Sequence, residues 1–324
     1  MAQLTLKSKE KENDTVILEN QLTKTQQLFR DKWLYILLIP GALYFILFKY
    51  LPMWGGILIS FQDYSPFRGF WDSEWVGFDH FINFFQNPDF FRLLRNTLIL
   101  ALYDLIFFFP APIIIALMLN ELRIQFFKRT IQTLVYIPPH FMSWVIIASI
   151  TYVFLTTSGG AINALVEYFT GEQINFLSSP EWFRPMIIGQ VIWKETGWGG
   201  TVIFLAALAS VSAEQYEAAI MDGAGRFRRM WHVTLPALRS TIVILLILRL
   251  GNFLDQGFQQ IFLMTNSLNR SVADVFDTYV YFVGITQGMF SYSTAVGLFK
   301  AVVGIILIYG ADYLAKKMGQ TGLF

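Results

Sequence analysis

Residues Glu217–Pro236 read EAAIMDGAGRFRRMWHVTLP, a polar stretch set inside an apolar chain. Its order is specific: Glu217-Ala218-Ala219, then Asp222-Gly223-Ala224, then Leu235-Pro236 before a long apolar run. A loop that only joins two hydrophobic helices needs no such pattern, so this one reads as an element gripped by another protein. Ser212 precedes Gln215 by three residues, a capping-box spacing that predicts a helix over 213–221. Ala218 and Ala219 favour that helix and keep it slim enough for a cleft. Asp222-Gly223 signals a turn, with Gly223 as the point where the chain leaves the helix. A second, basic helix from Arg226 to Thr234 is expected to stop at Pro236. The alternative is an amphipathic loop lying on the membrane lipid, with Arg226, Arg228 and Arg229 drawn to headgroups.

Working outward, the 324 residues are 55% hydrophobic and 17% aromatic but only 15% charged. Soluble domains carry about 25% charged residues, so the composition is that of an integral membrane protein. A net charge of +1 gives no reason to expect nucleic acid. There are no cysteines, which removes disulfides, thiolate metal sites and cysteine nucleophiles. Three scattered histidines, His80, His140 and His232, offer no metal cluster. Residues 1–32 are polar and mixed in charge, and they read as a cytoplasmic tail rather than a cleaved signal.

A helical span needs about 20 mostly apolar residues. Six stretches qualify, near 33–53, 95–119, 133–156, 186–209, 238–263 and 292–315, so the expected fold is all-α with six transmembrane helices. Prolines 40, 110, 112, 138 and 139 fall within three of them, as membrane helices tolerate. With the N-terminus inside, the inner segments carry Lys7, Lys9, Lys11, Lys24, Arg30, Lys32, Arg123, Lys128, Arg129, Arg226, Arg228, Arg229, Arg239, Lys316 and Lys317. The outer segments carry only Arg68, Arg92, Arg95, Arg184 and Arg270. This asymmetry puts both termini, the 316–324 tail and the 210–236 loop in the cytoplasm. The outer segments 54–92 and 157–184 are aromatic, with a short helix expected over 161–169. Their aromatics read as an interfacial belt, or alternatively as a docking surface or stacking platform for a sugar ring.

The Glu217–Pro236 stretch resembles the coupling loop of permease subunits in type I ABC importers. The match is carried by Glu217, Ala218, Ala219, Asp222, Gly223, Ala224, Leu235 and Pro236. Val76-Gly77-Phe78 through Asn96-Thr97 resembles the family's entry into its second span. Tyr136-Ile137-Pro138, and Trp193-Lys194 with Leu205-Ala206-Ala207-Leu208, resemble its third and fourth spans. Phe48-Lys49-Tyr50-Leu51-Pro52, Phe61-Gln62-Asp63-Tyr64-Ser65-Pro66 and Thr294–Lys300 are similar to permeases for oligo- and polysaccharides, alginate importers among them. The resemblance implies a type I importer permease domain over 33–315 in a bacterial cytoplasmic (inner) membrane. It implies that Glu217 and residues 218–224 contact an ATPase. The implied partners are a second permease in a heterodimer, two cytoplasmic ATPase subunits and an external substrate-binding protein. No G-x-x-x-x-G-K-[ST] loop occurs, so ATP and magnesium belong to the ATPase chain and this subunit is not an enzyme.

Charged groups inside a span are costly and face a cavity or the bundle interior. On one continuous helix, Arg249, Asn252, Gln256, Gln259 and Gln260 would fall within about a 100° arc, a polar stripe suited to a water-lined pathway. Asp255 lies at its edge, able to pair with Arg249 or a neighbouring helix. Gln190 and Lys194 share a face of the fourth span beside Glu195, and Lys300 and Asp104 complete the set. These groups are candidates for the substrate pathway, or for pairing with one another or with a second permease. Three bases against three acids say nothing of substrate charge. A membrane enzyme acting on glycans or lipids would need paired carboxylates, for which Asp72-Ser73-Glu74 is the nearest candidate. A stand-alone secondary transporter would be longer and show repeated halves.

Overall fold

The computed structural model describes residues 31–122, 126, 130, 137–319 and 322–323. Residues 1–30 of the expected N-terminal tail, the basic residues Arg123, Lys128 and Arg129, and Tyr136 fall outside that range. The chain divides into two units, Met1–Leu58 and Ile59–Phe324. The first, in its described part, is made by an apolar helix α1 (Lys32–Ile59), all but its last residue, with Pro40 inside it.

The second unit opens with a short antiparallel hairpin, β1 (Gln62–Asp63) and β2 (Glu74–Trp75), a small addition to an otherwise helical fold. A helix α2 (Asp79–Gln86) leads into α3 (Phe90–Glu121). Its wide π turn over Asp104–Phe108 is closed by Phe109 N–H to Asp104 O at 2.9 Å. The turn falls just before Pro110 and Pro112, where a regular ladder would lack donors. Then come α4 (Ile137–Phe141), α5 (Trp144–Leu155) and α6 (Ala161–Thr170). A helix α7 (Pro180–Glu195) passes through a π turn, Thr196–Thr201, into α8 (Val202–Ala209). The loop contributes α9 (Ala213–Met221) and α10 (Arg226–Ala237), which bends by 58° into α11 (Arg239–Gly251). Three short helices follow, α12 (Phe258–Met264), α13 (Arg270–Ala273) and α14 (Phe276–Tyr281). The long α15 (Phe290–Lys317) ends the fold.

Three of the six expected spans are single helices long and apolar enough to cross a bilayer: α1, α3 and α15. Of the other three, the third and fifth are interrupted. The third breaks between α4 and α5, where the Ser143 hydroxyl caps α5 by accepting Ile146 N–H at 3.3 Å. The fourth runs on without a break from α7 through the Thr196–Thr201 π turn into α8. The fifth ends as a helix at Gly251 and resumes only at Phe258, with Gly257 at φ +76° turning the chain back. The single continuous helix expected over 238–263 is therefore corrected to two helices with an irregular hinge.

Packing is built from apolar clusters pinned by a few buried amides. Phe84, Phe90, Phe276, Tyr292 and Val296 join α2, α3, α14 and α15. Leu100, Phe183, Ile187, Ile261 and Met264 join α3, α7 and α12, while Ala116, Phe204, Leu208 and Leu238 join α3, α8 and the α10–α11 bend. Helices α11 and α15 touch through backbone: a Cβ on Gly304 would lie 2.6 Å from Gly251 O. The Asn96-Thr97 pair has a clear packing role. Fully buried Asn96 donates to Ser271 O at 3.0 Å and Asp274 O at 3.1 Å, and accepts from Arg184 at 3.2 Å. Thr97 Oγ1 accepts Phe276 N–H at 3.3 Å.

Replacing Asn96 by Ala strips partners from two carbonyls and a guanidinium, at a cost of about 1–3 kcal/mol. The detergent-solubilised variant is expected to melt below the parent in a thermal unfolding assay; an unchanged midpoint would refute the stitch.

Candidate functional site

The coupling-loop candidate is a rigid hairpin of helices. Ser212 caps α9, its hydroxyl accepting Glu214 N–H at 3.2 Å, one residue earlier than the capping-box expectation. At the other end Gly223 sits at φ +74°. Gly223 N–H returns to Ile220 O and Ala224 N–H to Ala219 O, both at 2.9 Å. This pair of bonds is a Schellman closure, so Gly223 and Ala224 follow Asp222 for backbone reasons. Tyr216 Oη donates to Thr234 Oγ1 at 3.2 Å and ties α9 to α10. Glu217, Ala218 and Asp222 are exposed, Ala219 and Ala224 half-buried. Met221 and Phe227, which the sequence pattern did not single out, are 87% and 82% exposed and give the loop two apolar knobs. Contrary to the expectation from sequence, Pro236 does not stop α10. The helix continues to Ala237 through a π turn at Met230–Thr234 and bends at buried Leu238 instead.

The pathway candidates separate into two groups. Glu195, Arg249, Asn252, Asp255 and Gln256 line one cleft of about 370 Å³, together with Asp104 and Gln260. A neighbouring cleft of about 330 Å³ shares Glu195, Arg249 and Asn252 and runs past Phe108, Pro112 and Phe204. Arg249 holds Asp104 through two bonds, Nε to Oδ2 at 2.6 Å and Nη2 to Oδ1, and its guanidinium lies 4.9 Å from the Phe108 ring. The Asp104 side chain is 11% exposed and that of Arg249 42%, so the pair has one face in the cleft.

The expected stripe is corrected by the hinge. Helical phase is lost after Gly251, so Arg249 and Gln256–Gln260 do not share one helix face. The hinge itself now turns Asn252, Asp255 and Gln256 toward the cleft, whereas exposed Gln259 is not among its lining residues. Gln190 and Lys194 are engaged within the bundle. Gln190 donates to Thr151 Oγ1 at 2.7 Å and accepts from Gln260 at 2.9 Å. Lys194 Nζ, buried, donates to His140 O at 2.6 Å and Met142 O at 2.9 Å and stands 5.4 Å from the Trp144 ring. These are the carbonyls that the α4–α5 break leaves without helical donors. Lys300 pairs with Asp277 and lies 3.9 Å from Asp255, so Asp255 faces a neighbouring helix rather than Arg249. Asp277, which also accepts Gln256 N–H at 3.0 Å, was missed from sequence because it lies in a stretch read as an outer connection. The signal was partial: a lysine in the middle of a span needs an acid or backbone carbonyls to partner it. Among the described residues, no group of three or more His, Asp or Glu side chains is placed to hold a metal ion.

Residues 84–320 match the family model described as binding-protein-dependent transport system inner membrane component. Over 92% of both chains, the sequence is 71% identical to protein LplB of Bacillus subtilis (strain 168). It is 56% identical to the polygalacturonan/rhamnogalacturonan transport system permease protein YteP of the same organism, over 96% of this chain and 97% of that one. A chain in the crystal structure of a bacterial alginate ABC transporter, in complex with an alginate pentasaccharide-bound periplasmic protein, superposes with a TM-score of 0.84 at 37% identity. The alignment covers 92% of this chain and 99% of that one.

Removing one partner of a buried ion pair costs about 3–5 kcal/mol, and the exposed face of Arg249 lowers the expectation here to about 1–3 kcal/mol. Arg249→Ala is expected to reduce thermal stability by that amount, and Asp104→Leu/Arg249→Met to recover most of it. A double variant no more stable than Arg249→Ala would show that the pair is not what matters at this position.

Proposed function

The chain belongs to the family of binding-protein-dependent transport system inner membrane components, and we propose that it forms half of an importer's passage for oligo- or polysaccharide. It is a non-catalytic permease subunit of an ATP-driven importer, which excludes a stand-alone secondary transporter and a glycan- or lipid-modifying enzyme. The observation that carries the coupling role is the Schellman-closed helix α9 with Met221 and Phe227 exposed beside Glu217. A stiff helix with an apolar tip, seated in a cleft of an ATPase, moves as that cleft moves. Closure of the ATPase pair then pulls on α10 and, through the 58° bend, on α11 with Arg249 near its far end.

In this reading Glu217, Ala218, Ala219, Asp222, Gly223 and Ala224 form the ATPase contact. Both termini lie in the cytoplasm and the chain crosses the inner membrane six times, two of the crossings being interrupted helices. ATP and magnesium are held by two ATPase subunits, and a second permease closes the open side of the Arg249 cleft. An external binding protein delivers the sugar. Glu195, Asn252, Asp255 and Gln256 then offer carboxylates and amides to sugar hydroxyls, with Arg249 available beside them. Polymers such as those named for the relatives, polygalacturonan, rhamnogalacturonan and alginate, are the cargo class best supported.

The test is co-purification and uptake in the assembled system. Glu217→Ala and Met221→Glu are each expected to lower labelled oligosaccharide uptake at least about tenfold and to weaken ATPase recovery, as interface anchors do. A chain that extracts without any ATPase, together with unchanged uptake for Glu217→Ala, would sink the importer reading.

A further inference from the structure

The hairpin at Gln62–Trp75 is an aromatic feature that neither the cleft nor the coupling loop uses. Its tip is ordered from within: Ser73 Oγ donates to Gly69 O at 2.6 Å and accepts Ser65 N–H at 3.3 Å, while Gln62 donates to Phe70 O at 3.4 Å. Its base is anchored. Tyr64 N–H donates to Ser291 Oγ at 2.9 Å, and the Phe61 ring stacks on Trp75 at 6.1 Å and meets Phe78 edge-on at 5.3 Å. Yet Phe67 is 100% exposed and Trp71 89%. A loop pinned at this many points does not leave two large rings in solvent by default; it holds them there.

Three occupants compete for such a tip. A membrane surface is disfavoured by charge. Asp63, Asp72, Glu74 and Asp79 are all exposed on the hairpin and its exit, against the single exposed base Arg68, and anionic headgroups repel that set. A sugar ring is disfavoured by shape, because sugars are held in concave sites and rings this exposed stand on a projection. A protein face with an apolar socket and a basic rim satisfies both the rings and the acids.

The side of the membrane follows from α15. Its 28 residues span about 42 Å, from Phe290 beside the hairpin to Lys316 and Lys317 at the far end. The basic end belongs inside, so the hairpin end faces outward.

We infer that the Phe67/Trp71 tip with its acidic rim is a docking anchor for the external substrate-binding protein, which meets it with an apolar socket ringed by lysine or arginine. This rests on the importer reading above.

The assembled importer in lipid nanodiscs, titrated with its sugar-loaded binding protein, tests it. Phe67→Ser/Trp71→Ser is expected to weaken binding at least about tenfold and to abolish stimulation of the ATPase, while the permeases and ATPases still purify together. Asp72→Lys/Glu74→Lys is expected to weaken binding most at low salt. Because the chain has no cysteine, Phe67→Cys supplies a single labelling site. A membrane-impermeant maleimide should reach it in the resting complex and be blocked by the binding protein. Equal stimulation of parent and Phe67→Ser/Trp71→Ser complexes overturns the anchor alone, as does a Phe67→Cys thiol that stays unreactive because lipid covers it. A parent complex that the binding protein never stimulates overturns the importer reading itself.

Discussion

The hinge between α11 and α12 exists because Asp277 accepts the Gln256 N–H and Lys300 holds Asp277 in place. Within a bilayer, backbone groups freed by a helix break must find partners in the protein or in a wet cavity, and each unsatisfied group costs several kcal/mol. Here Asp277 takes one donor, Gln256 returns its own amide to Phe253 O at 2.6 Å, and Gly257 supplies the left-handed turn. With the break stabilised, Asn252, Asp255 and Gln256 line the cleft from the irregular hinge rather than from one face of a helix. The same break brings Gln260 back against Gln190 and Ile187 O, locking α12 to α7.

The pattern recurs at the other interruption. Lys194 neutralises the carbonyls at the α4–α5 break, much as Lys300 and Asp277 serve the later one. Ionisable groups in this fold are therefore of two kinds. Lys194 and Lys300 hold broken backbone in place and are nearly inaccessible. Arg249, Asp255 and Glu195 retain accessible surface in a cleft. A charged side chain inside a span marks either a repaired helix or a pathway, and partner geometry distinguishes them.

Helix α11 links the Glu217–Pro236 loop to the Arg249 cleft, the two sites on which the proposed function rests. Its 13 residues, about 20 Å, begin at the bend that leaves the coupling loop and end at Gly251, against Gly304 of α15. Arg249 lies two residues from that contact. A displacement of α9 and α10 thus reaches the Asp104–Arg249 pair through one stiff element. The close glycine contact gives α11 a pivot rather than a deep interlock of side chains.

Much was legible in the residues alone. Composition and hydropathy decided a helical membrane protein, and α9 with its exit at Gly223 followed from Ser212 and the Asp222-Gly223 turn, because caps and left-handed glycines act locally. The family likeness rested on the same stretch. What tertiary structure alone decided was which spans break and what each polar group meets. The arc from Arg249 to Gln260 assumed an unbroken helix, and the assumption failed because Asp277 and Lys300, distant in sequence, stabilise the interruption. Gln190 and Lys194 looked like pathway residues for the same reason: spacing gives a face, but not what that face packs against. Exposure of Met221, Phe227, Phe67 and Trp71 was likewise invisible, since an aromatic in a sequence carries no record of whether a neighbour covers it. Local rules fixed the elements; long-range pairing in a medium with no water to offer fixed their roles.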